Sequence, residues 1–245
     1  MDNVKKIKVK VIPSKIANIF VKKHHYSGKV VPNSSLHFGC FLGGVLHGVL
    51  SFGSSINKKG TINLVANTKW NGFLELNRMA FDKYLPRNSE SRCISVCMRL
   101  IKKNAPHIKW IISFADACQC GDGTIYRASG FNLVKVKKNT SLWRNKITNE
   151  QMQDMQFYHK MIKKNSDWER MGGFMLTYIY FIDKDKVKDL TVPILPFSKI
   201  DEIGAGMYKG VKILLKDRHA GLVQGSTSGF QSENGVRSDQ PAQKL

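Results

Sequence analysis

Residues 110–136 have the sequence WIISFADACQCGDGTIYRASGFNLVKV, and the signals within this stretch decide the fold. A continuous apolar run, Trp110 to Ala115, predicts a strand buried on both faces. A Gly-rich loop follows Asp116 and leads into a short predicted helix, Thr124 to Ser129, which a glycine ends. Phe131 to Val136 then predicts another strand. The stretch therefore predicts two strands joined by a carboxylate-bearing loop and one helical turn.

Apolar periodicity extends this pattern in both directions. In chain order it predicts a strand at 7–12, a helix at 15–23, a hairpin of strands at 36–42 and 45–52 around Gly43-Gly44, a strand at 73–81, a helix to about residue 104, a long helix at 148–170 and a last strand at 176–182. The helix at 15–23 is expected to bury Ile16, Ile19 and Phe20. This order predicts an α/β (α+β) domain with a mixed, mainly antiparallel sheet flanked by helices.

The domain is expected to span residues 1–216, including a helix and strand extension at its C-terminal end. Beyond about Asp217, Gly, Ser, Gln and Asn dominate and the apolar periodicity disappears. A segment of this composition cannot bury enough apolar surface to fold. Residues 217–245 are therefore expected to form a disordered polar tail.

The charge of the chain points to polyanionic partners. Among 245 residues, 39 are Lys or Arg and 18 are Asp or Glu, which gives a net charge of +21. Solubility alone requires a net charge of only about 2 to 8, so nucleic acid is the expected partner, ahead of an acidic membrane surface. The oligomeric state is left open.

Membrane association is not expected, because no apolar run approaches the roughly 18 residues that span a bilayer. The first residues also lack the apolar stretch of a signal peptide, and a cytoplasmic location is expected. The odd number of cysteines, five, is typical of reduced thiols. Cys93, Cys97, Cys118 and Cys120 are alternatively four thiolates for zinc, but their spacing is unusual and free cysteines are favoured.

Several residues are candidates for chemistry. Asp116 follows a buried strand, where a carboxylate can abstract a proton, bind a metal or cap the Gly-rich turn. Tyr26 is either a core aromatic or a platform that stacks on a base extruded from DNA. His24 and His25, with Asp116, would provide the two His and one carboxylate of a ferrous site. Adjacent His side chains diverge, however, so His37 and His47 are equally admissible partners.

A predicted helix N-terminus forms a second candidate site. Free backbone amides and the positive end of the helix dipole bind phosphate at such positions. The side chains around this one are Arg87, Asn88, Ser89, Ser91 and Arg92. They predict either a site for an anionic cofactor or donor, or ordinary capping with surface arginines.

The predicted element order resembles that of the GNAT N-acetyltransferase fold. Tyr126-Arg127-Ala128-Ser129-Gly130-Phe131 resembles the Tyr-x-x-x-Gly-Phe signature near the end of that fold. The resemblance implies that Tyr126 is a general acid that protonates a leaving group, whereas a bare Tyr at this place is more often a core anchor. The usual pyrophosphate loop of the family is absent, and Leu85 to Arg92 stands in its place.

Four ordered blocks of sequence carry a more specific resemblance. They are His24 to Gly28, Glu75 to Phe81, Leu85 to Arg92, and Phe114-Ala115-Asp116 followed by Gly121 to Phe131. Together they resemble the Mom family of phage DNA-modifying proteins. The resemblance implies a GNAT-like enzyme that converts adenine in DNA to N6-carbamoylmethyladenine, protects phage DNA from host restriction, acts in the infected bacterial cytoplasm and binds iron, Fe(II).

Two other functions remain open at this point. One is a conventional GNAT N-acyltransferase that acts on a protein or a small amine, and the other is a basic DNA-binding protein without enzymatic activity. The group donor is also open. An activated glycine such as glycyl-tRNA has the atoms of the implied product, and an acyl-coenzyme A is the alternative.

Overall fold

The computed structural model describes residues 3–117, 123–159 and 167–205, together with the backbone of residues 207–208 and 211–212. Its centre is a seven-stranded sheet with the order β1-β2-β3-β4-β5-β10-β6. These strands are β1 (Lys8–Val11), β2 (Ser34–Leu42), β3 (Val45–Gly53), β4 (Phe73–Phe81), β5 (Trp110–Asp116), β6 (Asn132–Asn139) and β10 (Gly173–Phe181). Only β4 and β5 pair in parallel. The predicted mixed, mainly antiparallel sheet is confirmed.

The described residues form six α-helices, and helices pack on both faces of this sheet. They are α1 (Ser14–His24), α2 (Lys58–Ile62), α3 (Ser89–Asn104), α4 (Thr124–Ala128), α5 (Asp154–His159) and α6 (Ser198–Glu202). The main core lies between α3, α4 and the sheet, and a smaller core lies under α1. Among the described residues, no helix is long and apolar enough to cross a membrane.

The predicted apolar face of α1 is partly wrong. Ile16 and Ile19 are 47% and 62% exposed, whereas Ala17, Phe20 and Val21 are buried. Two overlapping stripes have helical spacing in this segment, and periodicity alone does not distinguish them. The stripe with the small Ala17 faces the sheet, where it packs with Val49 and Ala80.

The predicted helix at 148–170 is wrong for the described residues of that segment except at α5. The segment also contains β8 (Gln151–Gln153) and β9 (Trp168–Arg170), which flank β7 (Leu142–Asn145) in a second sheet. The Asn145 side chain accepts hydrogen bonds from the backbone N–H groups of Ile147 and Thr148, both at 2.9 Å. This turn competes with helix formation, and the apolar residues of the segment instead pack around Trp143.

The sheet splits between β4 and β5. Their parallel pairing joins Phe73–Glu75 to Trp110–Ile112, and the two strands share no backbone register beyond these residues. Past this point β4 continues along β3, and β5 continues along β10 as far as Asp116. Side chains from the ends of both strands therefore face a common opening.

Two further pairs of residues, Met207–Tyr208 (β11) and Val211–Lys212 (β12), form a short hairpin. The predicted tail, residues 217–245, lies outside the described residues. The boundary at residue 216 therefore stays a prediction.

Gly123, the residue before α4, gives a prediction about stability. Its φ is +73°, and a Cβ at this position would lie 2.6 Å from the Tyr178 ring. Strain and overpacking together are expected to cost about 2 to 5 kcal/mol in Gly123→Ala, measured as a lower Tm. Gly172→Ala is the matched control, because a Cβ there meets nothing within 4 Å. Equal Tm values for the two variants would contradict the prediction.

Candidate active site

A cleft of about 1110 Å³ opens where β4 and β5 separate. Its walls come from the loop after α1, from β4, from β5 and from the second sheet. The lining residues that matter chemically are Tyr26, Glu75, Asn77, Arg78, Phe114, Asp116 and Arg144. A smaller cavity of about 300 Å³ lies beside Lys109 and Asp183 and contains no predicted site residue.

Two of the predicted catalytic residues line this cleft. Asp116 is the last residue of β5 and is 8% exposed, because the apolar strand before it is buried and pairs with β10. Tyr26 lies just after α1 and is 57% exposed, with its ring 4.2 Å from that of His25. The fold thus places in one cleft a nearly buried carboxylate and an exposed aromatic ring that are 90 residues apart in sequence (116 − 26).

The third predicted catalytic residue, Tyr126, lies beside the cleft and not in its lining. It is buried in α4, and its ring centroid is 5.3 Å from those of Phe131 and Tyr178. Tyr126 therefore packs as a core anchor, which was one of the two alternatives for this residue. Tyr126 also interacts electrostatically with Arg78, a cleft residue, so both of its possible roles are compatible with the geometry.

Arg78 is a central residue of the cleft that sequence reasoning did not select. Its Nε donates to the Lys29 carbonyl at 3.0 Å, and its Nη1 donates to the Asn77 carbonyl at 2.8 Å. Burial lowers the pKa of Arg78, while Tyr26, Glu75 and Tyr126 raise it. An arginine stays protonated in proteins, so the cleft contains a fixed positive charge.

Glu75 is a second residue that the analysis of the sequence missed. Burial raises the pKa of its carboxyl, and the polar side chains of Ser55 and Asn77 and the charge of Arg78 oppose this effect. A carboxylate whose pKa is raised toward neutrality is a better proton acceptor at neutral pH than an ordinary one. Both Glu75 and Arg78 are charged residues within the otherwise apolar pattern of β4. This pattern was the signal in the sequence that could have identified them.

The pKa of Glu75 predicts a pH-dependent stability. Because the folded-state pKa lies above the ordinary value of 4.5, the buried carboxylate destabilises the fold at neutral pH. This cost disappears below 4.5, where the folded and unfolded states are both protonated. Glu75→Gln should therefore raise Tm at neutral pH and leave it unchanged near pH 4. Thermal melts check this, with the exposed Glu150→Gln as control, and a lower Tm at neutral pH would refute it.

The predicted metal ligands are not assembled. The His24 ring packs 4.3 Å from that of Phe20, and Nδ1 of His25 lies 2.8 Å from the Ser27 hydroxyl. Burial, followed by the charge of Arg78, lowers the pKa of His25 to about 4. Among the described residues, no three His, Cys, Asp or Glu side chains are placed to hold a metal ion. His24, His25 and Asp116 therefore do not fit an iron centre in this structure.

The two alternative histidines have other partners. Nδ1 of His37 lies 2.8 Å from the Ser51 hydroxyl, and burial lowers the pKa of this His. His47 pairs with Asp82 at 2.8 Å and stacks on Tyr84. Neither of them lines the cleft.

The cysteines behave as predicted wherever the structure describes them. Cys40, Cys93 and Cys97 are buried free thiols. A hydrogen bond with Cys93 and burial raise the pKa of Cys40, and burial raises that of Cys97, so these two thiols are poor nucleophiles. Cys118 and Cys120 lie outside the described residues, and the zinc alternative stays untested.

The predicted phosphate site at the start of α3 is separate from the cleft. Its five residues, Arg87, Asn88, Ser89, Ser91 and Arg92, do not line the cleft. Asn88 has a φ of +69° and its side chain does not cap the helix, and the Ser89 and Ser91 hydroxyls donate to carbonyl groups. These three side chains therefore leave the first-turn amides to other partners, and anion binding here stays a prediction.

The fold and the cleft define a basic α/β protein with acid–base groups at a split in its sheet. The model of the Mom protein family matches residues 6–199, and the chain belongs to this family. The methylcarbamoylase mom of Escherichia phage Mu is 39% identical over 137 residues, which cover 56% of this chain and 56% of that protein. The chain thus matches about half the length of this curated relative.

Solved acetyltransferase structures are more distant. The IAA acetyltransferase from Bacillus cereus ATCC 14579 has a TM-score of 0.41 and 12% identity, over 71% of this chain and 99% of that one. The spermidine/spermine N-acetyltransferase SpeG from Vibrio cholerae has a TM-score of 0.42 and 7% identity, over 76% and 98%. With TM-scores below 0.5, these likenesses support no conclusion about the site or the activity.

Proposed function

We propose that this protein is a transferase that modifies the N6 amine of adenine in phage DNA to N6-carbamoylmethyladenine, and so protects that DNA from restriction in the host cytoplasm. Membership of the Mom family over residues 6–199 carries the proposal. The named activity of the phage Mu relative and the net charge of +21 support it. Double-stranded DNA is the proposed substrate.

The cleft has the groups that this chemistry needs. The N6 amine of adenine is delocalised into the ring and is a poor nucleophile, so a base must remove a proton as the new bond forms. Asp116, with Glu75 as the alternative, is the proposed base. The Arg78 guanidinium stabilises negative charge that develops on the attacked group, and Tyr126 is the proposed general acid.

The target base must leave the duplex to reach these groups. Tyr26 and Phe114 line the cleft, and both are exposed, at 57% and 38%. Aromatic rings hold an extruded base by stacking, which contributes about 1 to 3 kcal/mol per base. We propose that Tyr26 and Phe114 hold the flipped adenine beside Asp116.

The proposed donor is an activated glycine such as glycyl-tRNA. Attack of N6 on the glycyl ester forms N6–CO–CH2–NH2 and breaks the ester C–O bond, and the released tRNA hydroxyl takes the proton. This amide is an isomer of the product N6–CH2–CO–NH2. An internal rearrangement that breaks the N6–CO and CH2–NH2 bonds and forms the N6–CH2 and CO–NH2 bonds completes the conversion without other atoms or an oxidant. Acyl-coenzyme A, the alternative donor, requires an added nitrogen. The iron implied by the family resemblance is assigned no step, because the described residues do not fit it.

Isotope labelling tests the donor. Cells that express the protein are fed glycine labelled with ¹⁵N and ¹³C, and the modified nucleoside is analysed by mass spectrometry. Both labels are expected to enter the base together. If the base takes up carbon label only from labelled acetate, fed to a parallel culture, glycine is excluded as the donor.

Mass spectrometry of nucleosides from plasmid DNA tests the function itself. Expression of the parent protein should convert adenosine to a species heavier by one carbamoylmethyl group, and the double variant Asp116→Ala, Tyr126→Phe should not. Unmodified adenosine in cells that contain the folded parent protein would overturn the proposal. A DNA-binding protein without activity would give the same spectrum for parent and variant, and an ordinary acyltransferase would acylate protein or small amines instead.

A further inference from the structure

Asn77 occupies a break in the pairing of β4 with β3. Ser51 lies opposite Arg78 and Phe52 lies opposite Leu76, so Asn77 has no partner residue on β3. Bulges of this kind re-aim a side chain and are frequent next to active sites. Asn77 is 7% exposed and lines the cleft between Glu75 and Arg78.

The side-chain amide of Asn77 is held in one orientation. Its Oδ1 accepts a hydrogen bond from the Ser34 hydroxyl at 3.1 Å. This contact places Nδ2, the donor, at the other end of the amide. Within the part of the chain that the structure describes, no acceptor lies within hydrogen-bond distance of this buried Nδ2.

An unpaired buried donor destabilises a fold. Such a cost is expected where the partner arrives with a ligand. Because Nδ2 is buried, a partner must enter the cleft fully to meet it, as a flipped base does. Ser34 already donates to Oδ1, so the donor Nδ2 is the end of the Asn77 amide that is left without a partner.

We propose that Asn77 Nδ2 donates a hydrogen bond to N1 of the extruded adenine and so selects the base, a role that rests on the proposed function. In adenine, N1 is an acceptor next to the carbon that carries N6, so this contact turns the amine toward the carboxylates. Guanine and thymine present an N–H at the equivalent position. They would set two donors against each other, which costs affinity. Cytosine, like adenine, has a ring-nitrogen acceptor next to the carbon that carries its amine. This contact does not exclude cytosine, and we expect its smaller size to do so.

Binding of base analogues tests this contact without any catalysis. Each duplex carries one test base, adenine, 1-deazaadenine or 7-deazaadenine, opposite an abasic site. The base pairs on either side of the test base are varied through all combinations. The affinity of the protein for each duplex is measured by fluorescence anisotropy at fixed salt. Loss of N1 should weaken binding by about twofold to tenfold, the range for one neutral hydrogen bond. Loss of N7 should have no effect.

Two variants complete the test. Asn77→Leu should bind adenine and 1-deazaadenine equally. Asn139→Leu should behave like the parent, because Asn139 is also buried with an unpaired Nδ2 but does not line the cleft. The proposal is overturned if the parent binds 1-deazaadenine as tightly as adenine, if 7-deazaadenine binds equally weakly, or if Asn77→Leu keeps the discrimination. The proposed function fails separately, through absence of the modified nucleoside from plasmid DNA.

Discussion

Asp116→Asn is expected to reduce conversion of adenosine in plasmid DNA by about 100-fold to 10,000-fold, the usual contribution of a positioned base. The substitution keeps the size and shape of the side chain, which is 8% exposed at the end of β5. It removes the ability to accept a proton. DNA affinity should remain close to that of the parent, because phosphate contacts dominate such binding.

Two variants make this result specific. Asp82→Asn changes a partly buried carboxylate outside the cleft, which pairs with His47, and it should keep the parent's activity. Glu75→Gln separates the two proposed bases. If Asp116→Asn stays active while Glu75→Gln is inactive, Glu75 is the base and the assignment of Asp116 is wrong. Loss of DNA binding in parallel with activity would instead indicate misfolding.

The central sheet was predictable because each of its strands carries a local signal. The apolar run before Asp116 and the Gly43-Gly44 turn, with φ values of +60° and +87°, specify a buried strand and a hairpin without distant contacts. The segment 148–170 lacked such a signal. Its described apolar residues pack on Trp143, and the Asn145 side chain forms a turn directly before it.

The site was only partly predictable because residue types do not give distances. Asp116 and Tyr26 were selected by their chemistry, and the sheet does bring both into one cleft. The residues at the start of α3 were selected by the same reasoning and lie elsewhere. Glu75 and Arg78 were missed because a strand pattern does not show that β4 separates from β5 at this place.

Arg78→Met should reduce conversion of adenosine by about 100-fold to 1,000-fold, as loss of one preorganised group that stabilises developing charge does. Methionine retains much of the unbranched stem and removes the charge. Arg78→Lys keeps a charge but loses the planar fork that reaches the Lys29 and Asn77 carbonyls, so it should restore activity only in part.

Arg144→Met is the matched control, because Arg144 lines the same cleft but is half-exposed and pairs with Glu169. An arginine that contacts phosphate should lower DNA affinity when it is removed and reduce the salt slope by about 1, with little effect on conversion at saturating DNA. Arg78→Met should show the opposite pattern, with affinity and salt slope kept and conversion lost. If both variants lose affinity with the same change in slope, Arg78 is a phosphate contact and stabilises no reacting group.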